Sequence, residues 1–187
     1  MRQRDTLYFS PKYQFFAIDF NDPKKLIDMF SDRVYGFYIN PARLLCKNGD
    51  GFASGLLCIV TIDFLSRIAN PESEEVGKRI ERWLRSNINE FNTADCARRF
   101  YKDFRCGLVH EGRIKPFGEF SFESKQMITL QDEIMRVNPG MLLEQIAQSF
   151  QAYLSRLIVD EKEFLKLQTC LKNDFNSEVI KNSRQEL

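Results

Sequence analysis

Arg105 and His110 stand five positions apart in the stretch FRCGLVHEGR, Phe104 to Arg113, and His110 is the only histidine among 187 residues. An unperturbed imidazole titrates near ~6.5, so it can take or give a proton at neutral pH. An arginine presents a planar fork that suits two oxygens of a phosphate. Together the two groups could serve cleavage of RNA by its own 2′-hydroxyl. The imidazole would move the proton, and the guanidinium would stabilise charge on the pentacoordinate phosphorus. Such chemistry needs no metal, in keeping with a chain that offers no obvious set of metal ligands.

The surrounding charge is focused. Arg98, Arg99, Lys102, Arg105, Arg113 and Lys115 face only Asp103 and Glu111 in that window, which leaves +4 there (6 − 2) in a chain whose 27 basic and 26 acidic residues sum to +1. A polyanion is held chiefly through its phosphates. Arg98, Arg99, Lys102, Arg113 and Lys115 are therefore the candidate nucleic-acid-binding residues, although a helix with Arg98, Arg99 and Lys102 on a solvated face has the same composition.

Spacing raises a difficulty. On a regular α-helix, residues five apart point roughly 140° away from each other and would not converge on one phosphate. Gly107 lies between the two and could allow a kink or a fresh helix start. A twofold-related second copy could also bring two such segments together.

The elements that must position this stretch read mostly as helices. Asn21 and Asp22 cap a helix from Pro23, with Leu26, Phe30, Val34 and Phe37 on one face. Asn40 and Pro41 start a short helix through Leu45, and KNGDG, Lys47 to Gly51, makes a turn. From Phe52 to about Ile68 the chain is apolar on nearly all sides, which predicts a helix surrounded by others. Asp63, Arg67 and Ser54 interrupt that run, and it falls short of the roughly 20 apolar residues of a membrane span.

From Glu72 to about Asn89, Val76, Ile80, Trp83, Leu84 and Ile88 form a dry stripe, with Glu74, Lys78, Arg79, Arg82 and Arg85 outside it. Asn92 or Thr93 caps the next helix, in which Ala97, Phe100 and Phe104 lead into the candidate pair. Pro116 to Val137 alternates apolar and polar residues, including Phe120 and Phe122, and predicts two or three short strands. Asn138, Pro139 and Gly140 open a long helix with Leu143, Ile146, Phe150, Leu154 and Leu157 on its face. Asp160 with Glu163 starts the last one, through Phe175, before a polar tail that frays.

The expected architecture is thus mainly α: one domain over residues 1–187, with a core bundle at about 23–113 and 139–175 and a β-hairpin or three-strand insertion at about 117–137. The N-terminus lacks the apolar run and cleavage site of a signal peptide. Cys46, Cys58, Cys96, Cys106 and Cys170 form an odd set without a C-x-x-C pair, which argues against a disulfide framework and a zinc site. A reduced, cytoplasmic protein without cofactor, metal or membrane segment is expected. No G-x-S-x-G, Walker-type or G-x-G-x-x-G motif occurs. GFASG has the wrong spacing for a nucleophile elbow and reads as small residues that permit close helix packing.

Arg105-Cys-Gly-Leu-Val-His110 resembles the R-x4-6-H motif of HEPN domains, the higher eukaryote and prokaryote nucleotide-binding family, and GLVHEGR is similar to the motif's neighbourhood in several bacterial members. The likeness is sharp over about ten residues and diffuse over the helices from roughly Phe52 to Arg113, with Leu143 to Phe175 completing the bundle. It implies a HEPN-like helical bundle, frequent homodimers with their motifs facing each other, and metal-independent endoribonuclease activity in defence or toxin–antitoxin systems. RNA and an antitoxin would then be partners, and Arg105 and His110 the catalytic pair. Cys106 stands where the family commonly has a polar residue, and some members keep the bundle without catalysis. The alternative expectation is accordingly a non-catalytic HEPN-like nucleic-acid-binding or protein-interaction module, with Arg105 in an ordinary salt bridge and His110 packing or capping a helix end. The β-rich insertion lies outside the minimal bundle.

Overall fold

The computed structural model describes residues 2–3, 6–70 and 75–183, and these are mainly helical with a small three-stranded sheet. The chain divides into two compact units, residues 1–38 with 151–187 and residues 39–150.

In the first unit, a short antiparallel pair of β1 (Arg2–Gln3) and β2 (Thr6–Leu7) precedes α1 (Pro23–Val34). Asp22 caps α1 as its sequence suggests, its carboxylate accepting from the Lys25 N–H at 3.0 Å. Phe9, Phe15 and Phe175 meet edge to face, and the Arg33 guanidinium lies over Phe9, Phe37 and Phe175 while donating to the Phe9 carbonyl.

The second unit carries the candidate chemistry. No break separates α1 from α2 (Asn40–Lys47), because a π-helical turn, Tyr35–Ile39, continues the helix where Asn40 suggested a restart. The KNGDG turn then leads to α3 (Gly51–Ala69), α4 (Val76–Asn87) and α5 (Ala94–Phe100). The predicted start of α4 at Glu72 lies outside the described residues. α3 passes, by length and composition, as a helix able to cross a membrane, yet half of its most apolar stretch is buried inside the protein. It packs against α2, α4 and the sheet, as expected of a helix apolar on nearly all sides.

The sheet has the order β3 (Gly118–Phe120), β5 (Ile134–Val137), β4 (Ile128–Gln131), with β3 parallel and β4 antiparallel to β5. β4 and β5 form a hairpin whose two turn residues, Asp132 and Glu133, both take positive φ (50° and 63°). That is the sign a two-residue turn needs to match the strands' twist. The Arg99 guanidinium braces this turn by donating to the Glu133 carbonyl at 2.5 Å.

Phe122 does not continue β3, contrary to the alternation. The Asn138 amide donates to the Phe122 and Ser124 carbonyls, drawing the segment into a loop, while its Oδ1 accepts from the N–H groups of Gly140 and Met141 at the start of the next helix. That helix, α6 (Pro139–Val159), buries Leu143, Ile146, Phe150, Leu154 and Leu157 as its spacing predicts. In the first unit, Asp160 caps α7 (Glu161–Ser183), which runs beyond Phe175 through part of the segment read as a fraying tail.

Candidate functional site

Phe91, Phe100, Phe104 and Phe120 form an aromatic ladder, with successive centroids 5.0, 5.1 and 5.0 Å apart, that ties α5 and the chain after it to β3. α5 begins as the sequence suggests, with the Thr93 hydroxyl accepting from the Cys96 N–H at 3.2 Å. It does not continue as an α-helix. Tyr101–Glu111 is π-helical and closes at Gly112, whose φ of 68° lets its N–H reach back to the Gly107 carbonyl.

This change of winding resolves the difficulty of the five-residue spacing. A π-helix bonds residue i to i+5, so residues five apart lie on one side. Arg105 Nη1 and His110 Nε2 are 2.9 Å apart, within one chain and without a kink. Gly107 matters for a different reason from the one anticipated. A Cβ at this position would sit 2.5 Å from the Arg113 carbonyl oxygen, because the chain after Gly112 folds back across it. Gly107→Ala is expected to cost about 1–3 kcal/mol. A lowered urea midpoint at constant m would show it, and an unchanged midpoint would mean that the returning strand moves aside freely.

Arg105 is held from below by a residue that the motif does not contain. Asp63, at the middle of α3, accepts on Oδ2 from Arg105 Nη2 (2.7 Å) and Nε (3.1 Å), and on Oδ1 from Arg79 Nη2 (2.7 Å). Arg79 Nε also donates to the Ser66 hydroxyl at 3.3 Å, which donates in turn to the Asp63 carbonyl at 2.8 Å. The arrangement corrects the reading of α4, since Arg79 is buried (8% exposed) rather than on the solvated side. A guanidinium on a long stem can enter a core when a carboxylate meets it.

Two guanidiniums against one carboxylate leave this trio with +1. Burial acts to lower the pKa of Arg105, but the hydrogen bonds and charge of Asp63 outweigh it and the net shift is upward. The Tyr101 ring lies 5.9 Å from the Arg105 guanidinium carbon. Burial raises the Tyr101 phenol, and its hydrogen bond with Cys106 raises it further. Cys106 therefore faces the tyrosine beside the arginine.

Arginine has donors only. The nitrogen of His110 facing Arg105 Nη1 must accept, so the proton of the neutral ring sits on Nδ1. His110 is exposed while the Arg105 side chain retains 13% of its surface. The site therefore presents an accessible imidazole whose Nε2 lone pair is engaged by a firmly seated guanidinium.

The predicted basic surface is more neutralised than its composition implied. Glu111 takes Arg113 at 2.7 Å and Lys115 at 3.3 Å, and the hydrogen bond from Lys115, joined by Arg113, holds the Glu111 carboxyl below its usual range. Arg99 turns to Asp103 and the Glu133 carbonyl. Arg98 and Lys102 are exposed on the helix. Arg105 and His110 are thus brought together, Arg113 and Lys115 gather on Glu111 one residue further on, and Arg99 braces the hairpin.

Asp63 and Arg79 were the residues that sequence reasoning missed. The available signal was one carboxylate in the most apolar helix of the chain, which requires a buried partner. No group of three or more metal-ligating side chains is present among the described residues. Comparison with protein-family models, with curated proteins and with solved structures finds no match for the chain.

Proposed function

We propose that the chain is a HEPN-like, metal-independent endoribonuclease of the kind found in defence and toxin–antitoxin systems, with Arg105 and His110 as its catalytic pair. The observation that supports this reading most is the 2.9 Å approach of Arg105 Nη1 to an exposed His110 Nε2. In the resting site Arg105 occupies the lone pair that a general base would use. A phosphate oxygen of bound RNA accepts from Arg105 Nη1 in place of the imidazole and so frees Nε2. Nε2 then takes the proton of the adjacent 2′-hydroxyl, O2′ bonds to phosphorus, the bond from phosphorus to O5′ breaks, and O5′ leaves with a proton from water. The products are a 2′,3′-cyclic phosphate and a 5′-hydroxyl.

Asp63 and Arg79 keep the Arg105 guanidinium seated throughout, and Arg98, Lys102, Arg113 and Lys115 are the further phosphate contacts. A homodimer with two motifs across one cleft, and an antitoxin that covers it, belong to the same proposal.

The ion pair between Arg105 and Asp63 favours a second reading, a non-catalytic HEPN-like module for binding nucleic acid or protein. The discriminating experiment incubates the purified protein with RNA in EDTA beside folded Arg105→Ala and His110→Ala variants. Cleavage by the parent that disappears in both variants, with cyclic-phosphate ends, is the expected result. No cleavage by the parent, or undiminished cleavage by His110→Ala, would transfer the case to the binding module.

A further inference from the structure

The edge of β4, unpaired among the described residues, borders a groove of about 600 Å³ that is also lined by Glu90, Asn92, Thr93 and Cys96 around the start of α5. That volume lies within the usual range for ligand sites. Three of its features concern a polypeptide rather than a small molecule.

The first is hydrogen-bonding parity. Asn138 N–H donates to the Met127 carbonyl at 2.8 Å, and Gln131 pairs with Ile134 at the two-residue turn. In an antiparallel ladder the bonded positions alternate, so 127, 129 and 131 face β5 while Ile128 and Leu130 direct their N–H and C=O groups away from it. β4 is the last strand in the sheet order, so those groups face the groove.

The second is an unfinished apolar face. Ile128 and Leu130 lie opposite Val137 and Met135 on the side of the sheet that packs inward. Val137 and Met135 are fully buried, whereas Leu130 is 55% exposed at the edge. One more strand carrying an apolar side chain on that face would complete its cover. The third is charge. Glu90 is the sole charged residue lining the groove, and it stands across from the edge.

We infer that this groove binds an extended segment of a partner polypeptide, which adds to β4 as a fourth strand and alternates an apolar residue over Leu130 with a lysine or arginine directed at Glu90. Main-chain hydrogen bonds supply the affinity in such strand addition, and alternate side chains supply the choice of partner. At about 3.3 Å per residue the four positions of β4 engage about four residues of the partner. A second copy offering its own β4 does not match, because Ile-Thr-Leu-Gln brings no basic side chain to Glu90.

The test is fluorescence anisotropy of a labelled, end-blocked Val-Lys-Val-Lys-Val peptide against the full chain, with hydrogen exchange read at individual amides. The peptide is expected to saturate the protein and to protect the Ile128 and Leu130 amides selectively. Glu90→Lys should weaken it at least tenfold. Leu130→Pro, which removes an outward N–H and leaves the β5 side of the ladder intact, should abolish binding. The same peptide N-methylated at alternate residues keeps its side chains but loses its donors, and should fail on the unaltered protein even if Leu130→Pro does not fold. No saturable binding, equal binding of the N-methylated peptide, or protection of those amides by self-association alone would overturn the inference.

Discussion

Asp63→Ala is expected to lower the stability of the protein by about 3 kcal/mol. Removing one partner of a buried ion pair typically costs about 3–5 kcal/mol, because the remaining charge stays in a poor solvent. Here two guanidiniums are stranded, with side chains only 10% and 13% exposed. The lower end of the range applies because the Asp63 carboxylate itself retains 24% of its surface and is partly screened. Asp63→Asn discriminates between shape and charge. It preserves the packing but leaves one acceptor oxygen for two arginines, so it should recover only part of the loss. Urea unfolding at neutral pH would measure both variants, and a loss below about 1 kcal/mol for Asp63→Ala would mean that the trio behaves as a surface pair. Both substitutions should also release Arg105 from its seat. On the proposed function, RNA cleavage should then fall in protein that remains folded under the assay conditions.

Phe104→Ala should cost about 3–5 kcal/mol, the usual range for emptying a buried phenylalanine site. Phe104 is fully buried, stacks on Phe100 with rings 20° from parallel, and touches Phe120 of β3. Gly118 also lies against its ring. The cavity would open between the π-helical segment and the sheet, one residue before Arg105. Phe104→Leu, which fills much of the volume, should lose far less and keep Arg105 and His110 together. Thermal unfolding of the pair of variants checks this, and equal melting temperatures would show that the ladder does not carry the sheet.

The starts of α1, α5, α6 and α7 were legible because each is a local event. Asp22, Thr93, Asn138 and Asp160 accept from N–H groups two or three residues ahead, as their places before the apolar stripes require. The faces of α1 and α6 followed from spacing. The pair itself was visible in the sequence, but its geometry was not. Propensity does not separate α from π winding, since the same residues form both. The network behind Arg105 was hidden for another reason. It joins Asp63 to Arg79 and Arg105 over 16 and 42 residues, and only tertiary packing shows that a charge on an amphipathic helix has turned inward.

The π winding also makes the pair dependent on helical register. His110 faces Arg105 only while Tyr101–Glu111 keeps its i to i+5 bonding. If the segment slipped to α-helical bonding, the imidazole would end roughly 140° around the axis from the arginine, which stays pinned to Asp63. One amino acid added or removed between positions 105 and 110 would therefore turn the imidazole away from the arginine without altering either residue.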